Sequence, residues 1–128
     1  MRYVAVLAAG PNAVPGRPVH EQDPAIMRAH LKHMRRHYED GSVLFGGPFR
    51  SSFGGVVLIE AGDLAGAHAI FEADPAVAGG IITFDLHSVR PYFDVIAGEA
   101  WEPRGKDAVE ASLQTPAPHV RPGEELGA

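Results

Sequence analysis

The sequence predicts an α+β protein of the ferredoxin-like kind, a β-α-β-β-α-β sandwich with an antiparallel sheet and its helices on one face. Three observations predict it. Four segments with strand patterning alternate with two amphipathic helical stretches in that order. The helical stretch between Asp23 and Gly41 carries start and stop signals at both ends. The inner strand segments are apolar on both faces, through Val4, Val6, Val56, Val57, Leu58 and Ile59, so the sheet must be covered on both sides.

Residues 2–9, RYVAVLAA, read as a strand buried on both faces. Residues 10–22 hold Pro11, Pro15 and Pro18 with Gly10 and Gly16, and read as an irregular loop of the long kind that borders sites. Asp23 is the N-cap of the first helix, Pro24 suits its first turn, and Gly41 fits the left-handed position that ends it. At 100° per residue Met27, Leu31, Met34 and Tyr38 form the expected core face, with Arg28, Lys32, Arg35 and Glu39 opposite. Ile26, His30, His33 and His37 run along the edge between them.

Residues 42–49, SVLFGGPF, form the second strand, which Gly46-Gly47-Pro48 should bend or stop. A turn at 50–53 leads to GGVVLIE at 54–60, the clearest strand. Asp63 caps a second helix with Leu64, Ala67 and Phe71 on one face, ending near Ala73 because Asp74 precedes Pro75. Asp74 can cap a short turn before Gly79-Gly80. The last strand is 81–89, with Ile82, Phe84 and Leu86 on one face and Thr83, Asp85 and His87 on the other. Residues 92–96 suggest a further extended piece. The domain is therefore 1–96, and 97–128 is a C-terminal extension, partly disordered or docked on the domain.

At 128 residues, 45% hydrophobic and 21% charged, the chain has the composition of one soluble domain. A net charge of -5 without a basic run outside the helix argues against nucleic acid, and no stretch approaches a membrane span. Zero cysteines exclude disulfides and thiol chemistry. The opening residues lack a signal-peptide pattern, so the expected location is the cytoplasm. The uncovered apolar sheet face is most simply covered by a second copy, giving a homodimer through the sheet face.

Several pieces in order and compatible spacing resemble the YCII-related (YciI-like) family: RYVAVL at 2–7, AHL at 29–31, DGSVLFGGPF at 40–49, GGVVLIE at 54–60, ADP at 73–75 followed by VAGG, and VRPY at 89–92. The resemblance implies a ferredoxin-like dimeric α/β barrel. It also implies a catalytic dyad of a first-helix histidine and an aspartate before a proline, here His30 and Asp74, and activities of the dehydrochlorinase, lyase or isomerase type. The loop at 10–22 and everything after Gly98 depart from that family's compact pattern, so no relative's substrate is carried over.

Three candidate sites follow. His30 with Asp74 suits proton abstraction next to a carbonyl or hydroxyl, because a carboxylate fixes the tautomer of an imidazole and raises its basicity. The alternative is a helix-edge histidine bonded to a cap. His30, His33 and His37 lie within reach of one cation, yet one helix rarely supplies three ligands, and His20, Asp85 or His87 would be needed to complete a site. No bound metal and no cofactor are expected. In Gly46-Gly47-Pro48-Phe49 the glycines permit close backbone approach to a ligand and Phe49 offers an apolar wall, with Arg50 or Arg17 to orient an anion; the stretch reads equally as a strand-ending bulge. The function read from these residues is a small cofactor-independent enzyme using His30 and Asp74 on a small ring or carbonyl compound. A non-catalytic dimeric small-molecule-binding module or an accessory domain is the alternative.

Overall fold

The computed structural model describes residues 1–94. Strand β1 (Arg2–Ala9) pairs antiparallel with β3 (Gly55–Glu60) on one side and β4 (Ile82–Val89) on the other, and β2 (Val43–Pro48) pairs outside β3. The order β2-β3-β1-β4, all antiparallel, is the ferredoxin-like arrangement expected from the element order. Helices α1 (Pro24–Glu39) and α2 (Leu64–Glu72) and the short α3 (Pro75–Ala78) complete it.

Each helix starts where an aspartate supplies the missing acceptor. Asp23 accepts from the Ala25 and Ile26 amides at 3.0 and 3.2 Å, Asp63 from Gly66 at 2.7 Å, and Asp74 from Ala76 at 2.9 Å. Gly41 takes φ 89°, the left-handed turn that a side chain would oppose. Tyr3, Ala5, Leu7, Val57, Ile59 and Leu86 are buried in one core with Met27, Ile70 and Phe71 from the helices. The cross-strand register places Val4, Val6, Val56 and Leu58 on the opposite sheet face, with Phe45 beside Leu58. Thr83, Asp85 and His87 share that face, as their alternation requires.

Two expectations change. The buried stripe of α1 is rotated: Met27 and His33 are buried, whereas Leu31 and Tyr38 are 65% and 63% exposed. Hydrogen bonds from His30 and His33 to groups beside α2 turn the imidazole edge inward, and a hydrophobic count cannot register that pull. Strand β2 also does not stop at its glycines. It continues through Pro48, paired with Gly55, because an edge strand tolerates a residue without an amide hydrogen. Its irregularity comes earlier, as a register shift between Val43 and Phe45.

After β4 the Arg2 guanidinium holds Asp94 in two bonds, Nε to Oδ2 at 2.9 Å and Nη2 to Oδ1 at 3.3 Å, and donates to Glu60 at 2.8 Å. Residues 92–94 are not a strand. The rest of the expected 92–96 piece, the boundary at 96 and the 97–128 extension lie outside the described residues. Among the described residues no helix is long and apolar enough to cross a membrane.

Candidate active site

A cavity of about 450 Å³ lies between α1 and the β2 side of the sheet. Leu7, Met27, Met34, Val43, Val57 and Ile82 give it apolar walls, and the exposed Leu31 and Tyr38 stand at its rim. That volume accommodates a single small ring compound. The rotation of α1 thus has a consequence: the side chains expected in the core border an open space instead.

His30 lines this cavity from α1. Its Nδ1 lies 2.7 Å from Asp74 Oδ2, and the side chains are 12% and 1% exposed. The other carboxylate oxygen of Asp74 accepts from the Ala76 amide, the same bond that caps α3. Asp74 is held by the start of α3, and α3 packs on α1, so the carboxylate is fixed before any ligand arrives. An ionised carboxylate only accepts, so in the neutral tautomer that this bond favours the proton sits on Nδ1 and Nε2 carries the lone pair. His30 is part of the cavity lining and Asp74 is not. Nε2 has no hydrogen-bond partner among the described residues.

The other two helix histidines are engaged differently. His33 Nε2 donates to the Ile70 carbonyl at 2.7 Å in a buried contact that ties α1 to α2. The His37 ring meets His33 edge-on with centroids 4.8 Å apart. Its Nδ1 is 3.2 Å from Asp40 Oδ2 but badly aligned, which leaves that buried nitrogen without a hydrogen bond. Among the described residues no group of three His, Cys, Asp or Glu side chains could hold a metal. Of the proposed extra ligands, His20 borders the cavity, while Asp85 and His87 lie on the far face of the sheet.

Gly47 and Pro48 line the cavity with Gly46; Phe49 and Arg50 do not. Phe49 donates its amide to the Gly54 carbonyl at 2.9 Å in the turn, and Arg50 is exposed. Gly46 shares a face with Val57, and a Cβ there would meet the Val57 methyls at 3.5 Å, an ordinary contact. Gly55 is different, since a Cβ would come within 2.5 Å of the Gly47 carbonyl oxygen. Its glycine is required by strand packing.

Sequence reasoning missed Gln22, which is 1% exposed and bonded on every side to the preceding loop. It placed the loop beside a site in general terms, and Val19 and His20 do line the cavity. One clearly perturbed acid elsewhere is Tyr3, outside the cavity lining: burial pushes its phenol up, and the charges of Asp63 and Glu60 add to this.

The model of the YCII-related domain matches residues 1–85. A search of curated proteins finds no match to the chain. Among solved structures, the chain is similar to the 5-chloro-2-hydroxyhydroquinone dehydrochlorinase of Burkholderia phenoliruptrix AC1100 in complex with 2,5-dihydroxybenzoquinone. The TM-score is 0.55 at 17% identity, covering 70% of this chain and 94% of that one. At that identity the likeness concerns the fold.

Proposed function

The chain belongs to the YCII-related domain family, and from that membership and the buried carboxylate behind His30 we propose a small enzyme of the dehydrochlorinase, lyase or isomerase type. The observation that carries this reading is the 2.7 Å bond from His30 Nδ1 to Asp74, in a histidine that also lines an apolar cavity. His30 Nε2 is the general base, and Asp74 keeps its lone pair facing the ligand and stabilises the imidazolium that forms.

The chemistry needs only proton movement. Nε2 takes a proton from a ring hydroxyl or from a carbon next to a carbonyl, and the released electron pair moves into the ring. In an elimination the imidazolium first returns the proton to the chlorine-bearing carbon, loss of a second hydroxyl proton then expels chloride with its bonding electrons, and the products are the unsaturated ring and HCl. In an isomerisation the imidazolium returns the proton at another carbon. Neither route moves electrons to an external acceptor, so no redox cofactor is called for. The apolar walls strengthen each electrostatic contact made within them.

The same reading includes a homodimer. The exposed sheet face carries Val4, Val6, Val56, Leu58 and Phe45, an apolar surface that a second copy of the same face would cover. Light scattering should give twice 13.6 kDa; the monomer mass would remove this part of the proposal.

The test is chloride release from 5-chloro-2-hydroxyhydroquinone, the compound the structural neighbour's name identifies. His30→Ala is a poor probe, because it would leave a buried carboxylate oxygen unpaired. His30→Asn is better: its amide nitrogen is as many bonds from Cα as Nδ1, so the bond to Asp74 can persist while the base disappears. Turnover should fall by about 10²–10⁴ with His30→Asn, and by less with Asp74→Asn, which keeps the ring. Binding by the parent without turnover of this compound or of related ring hydroxy compounds would favour a binding module instead.

A further inference from the structure

One wall of the cavity is neither helix nor strand. Val19 and His20 reach it from the loop of residues 10–22, whose only regular piece is a 3-10 turn at Val19–Glu21. Three prolines in this loop have no amide hydrogen to donate. Its first half is fastened to the turn after α3: the Gly10 amide donates to Ile81 O at 2.8 Å, the Asn12 amide to Gly80 O at 2.8 Å, and Asn12 Nδ2 to Gly79 O at 3.0 Å. Its second half is fastened by a single side chain. Gln22 Oε1 accepts from the Val14 amide at 2.7 Å, and Nε2 donates to Arg17 O at 2.9 Å and Val14 O at 3.2 Å. A neutral side chain of this length with one acceptor and two donors is what those three backbone groups need.

We propose that this loop is the specificity wall of the cavity, that Gln22 is its positioning residue, and that the ligand it selects is an acidic single-ring phenol or enol. The proposal rests on the reading of the cavity as the substrate site. The first half of the loop is bonded to residues 79–81, a few positions after the aspartate holding His30, so one end of the wall and the base share a support. The basic groups besides His30 in the otherwise apolar lining are His20, on this loop, and Arg35, which Glu39 holds at 2.8 Å. Both are exposed, at the edge of the cavity where the ionised oxygen of such a ligand would lie. Without the Gln22 clamp the backbone groups at 14 and 17 would turn to water, and Val19 and His20 would leave the wall.

The probe is 4-nitrophenol, an acidic single ring whose phenolate is coloured, so one titration reads both affinity and the ionised fraction of bound probe. Gln22→Met, which fills the same space without hydrogen bonds, and Val19→Ala should each weaken binding about five- to tenfold. Val19→Ala should leave the ionised fraction unchanged, because His20, His30 and Asp74 are untouched. Amide exchange at Val14 should speed up in Gln22→Met alone. His30→Asn should instead lower the ionised fraction, with affinity falling only by the amount that this loss of ionisation accounts for. Parent-like affinity in both loop variants overturns the proposal, as does the absence of saturable binding by the parent; if Gln22→Met does not fold, Val19→Ala decides. An ionised fraction unchanged by His30→Asn contradicts the base reading instead, and leaves the loop result standing.

Discussion

His30 and His33 sit one turn apart on α1, both largely buried, and they are used in opposite ways. His30 directs Nδ1 at a carboxylate and lines a cavity. His33 directs Nε2 at a backbone carbonyl and belongs to the joint between α1 and α2. A carbonyl can only accept, so the proton of His33 is fixed on Nε2 and that nitrogen has no lone pair to offer. The residue type and the helix face are shared. The difference lies in what α2 and α3 place opposite each ring, and chemistry becomes possible only where the partner is an anion and the far edge is open.

The largest expected effect breaks this pair apart. His30→Asn should lose about 10²–10⁴ of turnover while the melting temperature changes little. His33→Leu should do the opposite. It strands the Ile70 carbonyl, which costs about 1–3 kcal/mol, and leaves turnover of the remaining folded protein close to the parent's. Thermal unfolding beside an activity assay checks both, and loss of turnover in a well-folded His33→Leu would erase the distinction.

A third measurement extends the comparison to the far side of the sheet, where none of the described helices packs. Leu58→Asp would bury an unpaired charge in the proposed sheet-to-sheet contact, at a cost of several kcal/mol. The expected result is a species of 13.6 kDa in place of the dimer. A dimer that survives this substitution would place the interface elsewhere.

The smallest effect concerns the end of α1, beside the third histidine. Hydrogen bonds from Ser42 hold the Asp40 carboxyl below its ordinary value, and proximity to His37 lowers it further against a small opposing desolvation. A carboxylate lowered in the folded state stabilises above its unfolded pKa, and loses that contribution as pH falls through its folded value. Asp40→Asn should therefore be slightly less stable than the parent at neutral pH, with the difference vanishing in acid. Denaturant titrations at the two pH values check this, and a difference that grows in acid would have the wrong sign.

What was legible in the sequence divides along the same line. The strands, their order and the caps Asp23, Asp63 and Asp74 were readable because each is set by residues close in the chain. The facing of α1 was not. Periodicity assigned Leu31 and Tyr38 to the core, whereas contacts of His30 with a residue 44 positions away and of His33 with one 37 away decided the rotation. The pairing of His30 with Asp74 was available only through resemblance to a family, since nothing local links the two. Gly47, expected at the site for its freedom of backbone approach, lines the cavity with Pro48, whereas Phe49, expected as an apolar wall, and Arg50, expected to orient an anion, do not. Gln22 gave no signal at all, because a glutamine before an N-cap looks the same whether it faces water or clamps a loop.

The central claim is that His30 presents a bare Nε2 because Asp74 takes its Nδ1 proton, and nitrogen-15 NMR of the imidazole rings tests it most directly. At a pH where both rings are neutral, the structure predicts opposite tautomers on neighbouring turns: the proton on Nδ1 in His30 and on Nε2 in His33. Asp74→Asn should disturb the first and leave the second unchanged. His30 found with its proton on Nε2 in the parent would leave no base facing the cavity, and would contradict the account.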